Sequence, residues 1–244
     1  MEQAKLFKRK IYQEMLRWKE ERQGETALLI EGARRIGKST IVEEFAKNEY
    51  SSYILVDFSK TATEINDLFN DLSDLNYIFL RLQLNYNVSL EERKSLIIFD
   101  EVQNNPKARQ AIKHLVKDHR YDYIETGSLI SIRKNVQNII IPSEETRITM
   151  HPMDFEEFRW ALGDNVTFTL LKTVLEQKQP LGEAIHRKLM RDFRLYMLVG
   201  GMPQAVDKYI KTNNLSAVDT VKRDIIALYE EDLRKIDTSG KATA

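Results

Sequence analysis

Cysteine is absent from the 244-residue chain, which excludes a disulfide scaffold, a Cys-ligated zinc or iron–sulfur site and a thiol nucleophile. Neither sign of charge prevails. The 37 Lys and Arg residues balance 37 Asp and Glu, so no global field draws the protein to nucleic acid or to an anionic membrane. Glycine and proline are scarce, at 9 and 5 residues, which favours a helix-rich globular protein over a low-complexity chain. Long hydrophobic runs are missing too: stretches such as 96–99 and 195–199 fall far short of the ~20 residues a membrane helix needs. The opening Met1-Glu2-Gln3-Ala4-Lys5 lacks the basic-then-apolar pattern of a secretory signal. These absences predict a soluble, cytoplasmic protein without a membrane partner. The four histidines (His114, His119, His151, His186) are scattered without metal-ligand spacing.

What is present is patterned. The chain is long enough for one large domain, or a core with a small appendage. Leu6, Ile11, Tyr12, Met15, Leu16 and Trp18 recur at mostly helical spacing and predict a helix over the first twenty or so residues. The basic run Lys8-Arg9-Lys10 on it reads as a solvated face, since Glu14, Glu20 and Glu21 follow. Short apolar runs at 27–30, 53–58 and 95–99 predict buried strands, with a fourth at 121–125 stopping at Thr126-Gly127-Ser128 and a fifth at 147–150. Helical patterns lie between them, weakly signalled over 68–84 and opened by Pro106 in the next case. Strands alternating with helices predict an α/β fold with a parallel sheet. Beyond Pro152 the pattern turns all-helical, beginning with a capping-box signature at Asp154 and Glu157. Three parts are expected: an N-terminal helix packed on the core (1–22), an α/β core (23–153) and an all-helical segment (154–244).

The chemistry is concentrated at two places. Gly32-Ala33-Arg34-Arg35-Ile36-Gly37-Lys38-Ser39 fits G-x-x-x-x-G-K-[ST] at every fixed position. Glycines let the backbone curl so that successive N–H groups converge on phosphate oxygens, and the following helix adds its positive end. Lys38 is placed to reach the β- and γ-phosphates, the Ser39 hydroxyl to hold Mg²⁺, and Thr40 to touch the α-phosphate. A chance match arises in roughly one chain of this length in a hundred, but here a strand precedes the loop and a helix follows, as the function requires. Arg34 and Arg35 occupy variable positions and read as solvated loop arginines that add local positive field.

The second place is Asp100-Glu101, two acids at the end of a four-residue apolar run. Ligands of a doubly wound sheet sit outside the carboxyl ends of its strands. There Asp100 is expected to hold Mg²⁺ and Glu101 to orient and deprotonate the attacking water. Adjacent residues in a strand point to opposite faces, which suits two separate roles. Several other phosphate-loop classes are disfavoured. The chain has no Asn-Lys-x-Asp for guanine and no Leu-Ser-Gly-Gly-Gln-like segment.

The ordered series Gly-Ala-Arg-Arg-Ile-Gly-Lys-Ser (32–39), Asp-Glu-Val-Gln (100–103), Thr-Gly-Ser (126–128), Pro-Met-Asp-Phe-Glu-Glu-Phe (152–158) and Gly-Gly-Met-Pro (200–203) resembles a family of prokaryotic AAA+-type P-loop ATPases, of the archaeal-type and STAND-like branch. The resemblance implies strand order 5-1-4-3-2 and a helical lid over the nucleotide. It implies a γ-phosphate sensor at Thr126 or Ser128 (an ordinary strand-ending turn being the competing reading). It implies an arginine finger at Arg147, against an exposed-arginine reading and with Arg133 as a competitor, and nucleotide proximity for 200–203, which also reads as helix punctuation. Members commonly carry a further C-terminal domain that this chain does not include; a naturally short member and a truncation both stay open.

The expected function is therefore Mg²⁺-dependent ATP hydrolysis coupled to lid movement, with ATP and ADP as ligands. Two alternatives stay open: a slow-turnover nucleotide-gated switch acting on an unidentified protein partner, and the ATPase part of a DNA-associated protein. The zero net charge weighs against strong DNA binding by this segment. Homo-oligomerisation stays open as well.

Overall fold

A computed structural model describes residues 6–128 and 143–236. Arg133 lies outside the described residues. Two compact units emerge: residues 10–150, and residues 151–236 together with the described N-terminal residues 6–9.

The first unit is built on five parallel strands among the described residues: β1 (Ala27–Gly32), β2 (Ser52–Asp57), β3 (Ser95–Asp100), β4 (Asp122–Ser128) and β5 (Glu145–Met150), in the order β2-β3-β4-β1-β5. This is the order the resemblance implied. The three central strands are covered on both faces, which is why β1 and β3 read as apolar runs (27–30 and 96–99) rather than alternating ones. Helices α1 (Ile11–Arg22), α2 (Lys38–Glu49), α3 (Thr63–Asp67), α4 (Leu75–Tyr86) and α5 (Pro106–Asp118) belong to the same unit. One sheet face meets α4 and α5 through Leu29, Ile54, Val56, Ile97, Phe99 and Tyr123, packed against Phe79, Ile112 and Leu115.

Three expectations are corrected. The N-terminal helix starts at Ile11, because Leu6–Arg9 belong with the C-terminal unit: Arg9 donates to the His151 carbonyl at 2.5 Å and pairs with Glu157 at 3.2 Å. The helix expected over 68–84 is interrupted. Asp71 accepts from the Ser73 N–H at 2.9 Å and Asp74 caps α4 by accepting from Tyr77 N at 3.1 Å, so a short 3₁₀ turn (Leu68–Asn70) ends before α4 begins. Finally, β4 does not stop at Glu125. Leu29, Ile30, Glu31 and Gly32 pair with Glu125, Thr126, Gly127 and Ser128, which makes Thr-Gly-Ser the strand's last stretch rather than a turn.

The second unit is helical: α6 (Phe155–Ala161), α7 (Thr167–Glu176), α8 (Glu183–Val199), α9 (Pro203–Thr212) and α10 (Leu215–Ile236). The box at its start forms in full, with Glu157 N donating to Asp154 at 2.9 Å and Asp154 N to Glu157 at 3.1 Å. Phe7 joins Met153, Phe158, Val199, Val206 and Val218 in the core of this unit. Arg159 ties α6 to α8 through Asp192 and to the following loop through Asp164. The Gly-Gly-Met-Pro segment is bolted to the residues that open the unit. Met153 N donates to the Gly201 carbonyl at 2.7 Å, and a Cβ at Gly201 would lie 2.1 Å from the Met153 oxygen. Contact of that kind admits no side chain. Gly201→Ala is expected to destabilise this unit by about 1–3 kcal/mol, read as a lowered thermal midpoint. An unchanged midpoint would show that the segment can move aside.

A charged cluster is buried against the sheet of the first unit. Glu125, Leu29 and Arg147 stand in one row across β4, β1 and β5. The buried Glu145 carboxylate is 3.3 Å from Arg109 of α5 and 2.5 Å from Arg147 Nε. Glu125 is completely buried, and its carboxylate oxygens have no hydrogen-bond donor. Burial, reinforced by the neighbouring Glu145, pushes its carboxyl well above the ordinary range. A carboxyl that keeps its proton to higher pH when folded than when unfolded contributes fully below the ordinary carboxylate range, and that contribution is lost as pH rises through the folded value. Glu125→Gln keeps the shape and removes the titration. The variant is expected to be more stable than wild type at pH 8, with the gap closing toward pH 5, in urea unfolding across that range; a gap that does not change with pH would contradict this account.

Candidate functional site

The site lies at the carboxyl ends of β1, β3 and β4. β1 runs into Gly32, and a Cβ there would lie 2.3 Å from the Met150 carbonyl of neighbouring β5 and 2.8 Å from Ile36 Cδ1, so only glycine lets the chain leave the sheet at this point. The loop then curls through positive φ at Arg35 (61°) and Gly37 (93°) before α2 begins at Lys38. Ile36 is fully buried and anchors the loop from below, while Ala33, Arg34 and Arg35 stay on the exposed side. The loop leads straight into the start of a twelve-residue helix, whose N-terminus favours an anion.

Lys38 is 5% exposed and turned back into the loop, donating to the carbonyls of Gly32 at 3.1 Å and Ala33 at 2.8 Å. Burial pushes its ammonium below the ordinary lysine value, while Glu101 and then Asp100 pull the other way. Next to it, Ser39 Oγ donates to Asp100 Oδ1 at 2.8 Å. The loop residue and the strand-end acid, far apart in sequence, therefore meet. Thr40 is exposed on the first turn of α2.

β4 lies between the loop strand β1 and the acid strand β3, and it brings Thr126 alongside Asp100. The Thr126 hydroxyl donates to Asp100 Oδ1, and the Glu101 N–H is directed at the Thr126 oxygen at 3.4 Å. Ser128, 6% exposed, pairs with Gly32 at the very tip of the sheet. Both sensor candidates thus border the loop, and Thr126 is the one bonded to the acid.

Glu101 departs from the expectation built on strand alternation. β3 ends at Asp100, and Glu101 adopts a left-handed conformation (φ 53°, ψ 46°), which costs a residue with a Cβ roughly 1–2 kcal/mol. Its side chain is aimed by this turn, not by the sheet's pleat. The turn brings Gln103 back onto it: Gln103 Nε2 donates to Glu101 Oε2. Gln103 had drawn attention only as a letter in the Asp-Glu-Val-Gln series, and its spacing of two from the acid was the available signal. Asp57 went unremarked too. It ends β2 in register with Asp100 and accepts from Ser59 N at 2.9 Å.

Arg147 is not brought to the loop of its own chain. It sits opposite Leu29 in β5, three residues short of the Met150–Gly32 pairing at the sheet's end, with its guanidinium on Glu145 and its side chain 44% exposed.

Comparison with known proteins follows this geometry. A family model described as an AAA domain matches residues 24–159, more than half of the chain. A second, described as a domain of unknown function, matches residues 190–244. No curated protein matches the chain by sequence. Solved structures similar to it include C. elegans PCH-2 (11% identity over 86% of this chain and 64% of that one, TM-score 0.42). Another is Hsp104 with ATPγS and FITC-casein (12% identity, 81% and 36%, TM-score 0.41). A third is Aeropyrum pernix ORC1 in complex with DNA (13% identity, 98% and 71%, TM-score 0.44). The chain therefore spans less than two thirds of the PCH-2 and Hsp104 chains. At these scores the three likenesses carry no weight beside the sheet order and the loop. No helix among the described residues is long and apolar enough to cross a membrane. On the match over residues 24–159, the chain belongs to the AAA domain family.

Proposed function

We propose that the protein is a Mg²⁺-dependent ATPase whose hydrolytic cycle moves the helical unit that begins at residue 151. The observation that carries this reading is the 2.8 Å hydrogen bond from Ser39 to Asp100, which puts a helix-start hydroxyl and a strand-end carboxylate on the same point beside a buried lysine.

That pair fits Mg²⁺, which takes hard oxygen ligands and is commonly held by one or two protein groups, with water and phosphate completing the shell. Ser39 and Asp100 would hold it, and when bound it would neutralise charge on the phosphate oxygens. The remaining work belongs to the chain. The amides of 32–39 bind the polyphosphate, with Thr40 at the α-phosphate, and Lys38 exchanges its two loop carbonyls for β- and γ-phosphate oxygens. Glu101 accepts a proton from the attacking water as the water oxygen bonds to the γ-phosphorus and the bond to the β-phosphate oxygen breaks, releasing ADP and phosphate. Thr126, bonded to Asp100, reports on the γ-phosphate, with Ser128 beside it. ATP is favoured over GTP because the chain has no Asn-Lys-x-Asp.

A second reading is a nucleotide-gated switch with slow turnover. The position of Arg147 favours it, since a guanidinium seated on Glu145 midway along the edge strand β5 serves its own loop poorly. Under the first reading Arg147 acts on a neighbouring copy's nucleotide, and turnover rises with protein concentration.

Phosphate release from ATP and GTP by wild type, Lys38→Ala and Glu101→Gln separates the readings. Lys38→Ala is expected to lose nucleotide binding, and Glu101→Gln to bind ATP but turn over roughly tenfold slower or worse. Tight ATP binding by wild type with no turnover at any protein concentration would decide for the switch. No binding at all would reject both readings.

A further inference from the structure

The feature left unexplained by this scheme is how Glu101 is aimed. Its left-handed backbone removes it from the pleat that orients Asp100 and Thr126, and a glutamate side chain has three freely rotating bonds. Among the described residues, the side chain that donates to its carboxylate is Gln103.

Gln103 is itself firmly held. It lies in the 3₁₀ turn Val102–Asn104, is 9% exposed, and is flanked by the fully buried Val102. Asn104 N donates to the Glu101 carbonyl at 3.0 Å and Asn105 N to the Val102 carbonyl at 3.0 Å, closing the turn. The turn is pinned at its far end as well. Asn105 caps α5 by accepting from Ala108 N at 3.0 Å and donates to the Asn66 carbonyl at 3.1 Å. A turn whose backbone is fixed at both ends thus presents the Gln103 side chain, which delivers one N–H to one carboxylate oxygen.

The chemistry suits a base. A neutral amide donor orients a carboxylate without the proton or full positive charge that lysine or arginine would bring. It engages Oε2 and leaves Oε1 for water.

We infer that Gln103 is a positioning residue, which fixes Glu101 for proton abstraction by donating from Nε2 to Oε2. The inference rests on the reading of Glu101 as the water-activating group. Gln103→Met keeps the length and most of the buried volume and removes the donor, and Gln103→Glu replaces the donor with a like charge. With ATP, Gln103→Met is expected to lower kcat by about tenfold to a hundredfold while KM and nucleotide affinity stay within about twofold, the signature of lost orientation rather than lost binding. Gln103→Glu is expected to lose at least as much. In a Glu101→Gln background, Gln103→Met should lower kcat no further, because the group it aims has already lost its basicity.

An unchanged kcat in a folded Gln103→Met protein would overturn the inference. So would equal loss in the Glu101→Gln background, or a loss confined to KM. Should Gln103→Met alone unfold, the thermal midpoint shows it, and the kcat of Gln103→Glu then decides. If instead Glu101→Gln turns over like wild type, the assignment of Glu101 has failed, and the inference falls with it.

Discussion

The site depends on removing two opposite charges from water at the edge of a sheet and giving each of them partners there. Lys38 and Asp100 are both more than nine-tenths buried, and a buried charge without partners is costly enough to neutralise itself. Each is answered locally: the lysine by two loop carbonyls, the aspartate by the hydroxyls of Ser39 and Thr126. Both answers come from within the loop and the strand ends beside it. Under the proposed function, a phosphate competes with the Gly32 and Ala33 carbonyls for an ammonium already stripped of water, so it gains a strong partner at little further desolvation cost. The burial that pushes the lysine's proton affinity down also leaves its ammonium little water to give up.

The strand order explains why these partners are available. The chain makes β1 first and β3 third, yet the sheet places β4 between them. The strand formed fourth thus supplies the hydroxyl that bridges the loop and the acid. Register finishes the work: Asp57 stands opposite Asp100, Phe99 opposite Glu125 and Ile30 opposite Thr126, so β3 ends beside Thr126 while β4 runs on to pair Ser128 with Gly32. A one-residue slip of β4 would turn Thr126 to the other face and bring Glu125 or Gly127 in its place.

The strand–loop–helix unit was legible because its requirements are local. Glycine at a close backbone approach, lysine and serine on the first helical turn, and an apolar run ending in acid are each written in a few consecutive residues. The boundaries that were missed depend on distant partners. Nothing near Leu6–Arg9 announces that Arg9 pairs with Glu157, and without that bond the helical pattern would be free to run on from Leu6. Nothing in Thr-Gly-Ser distinguishes a turn from a strand end until β1 is alongside. The alternation argument for Asp100 and Glu101 failed for a related reason: it assumed the strand continued, and the left-handed residue ended it. Glu125 was invisible as a buried group, because a charged residue inside a strand reads as exposed unless Arg109 and Glu145 are known to face it.

That buried cluster also bears on the acidic turn. Residues 101–105 hang between β3 and α5, so their geometry is only as fixed as the two elements that hold them. β3 is locked by hydrogen bonding to strands on both sides. α5 is locked by apolar packing and, one turn from its start, by the pairing of Arg109 with Glu145 on the far edge strand. Stability alone does not account for that ion pair, since buried pairs commonly contribute little net. What an apolar contact lacks is direction. A guanidinium held by a carboxylate sets where α5 begins along the sheet, hence where Asn105 and Gln103 stand, and through Gln103 where the Glu101 carboxylate points.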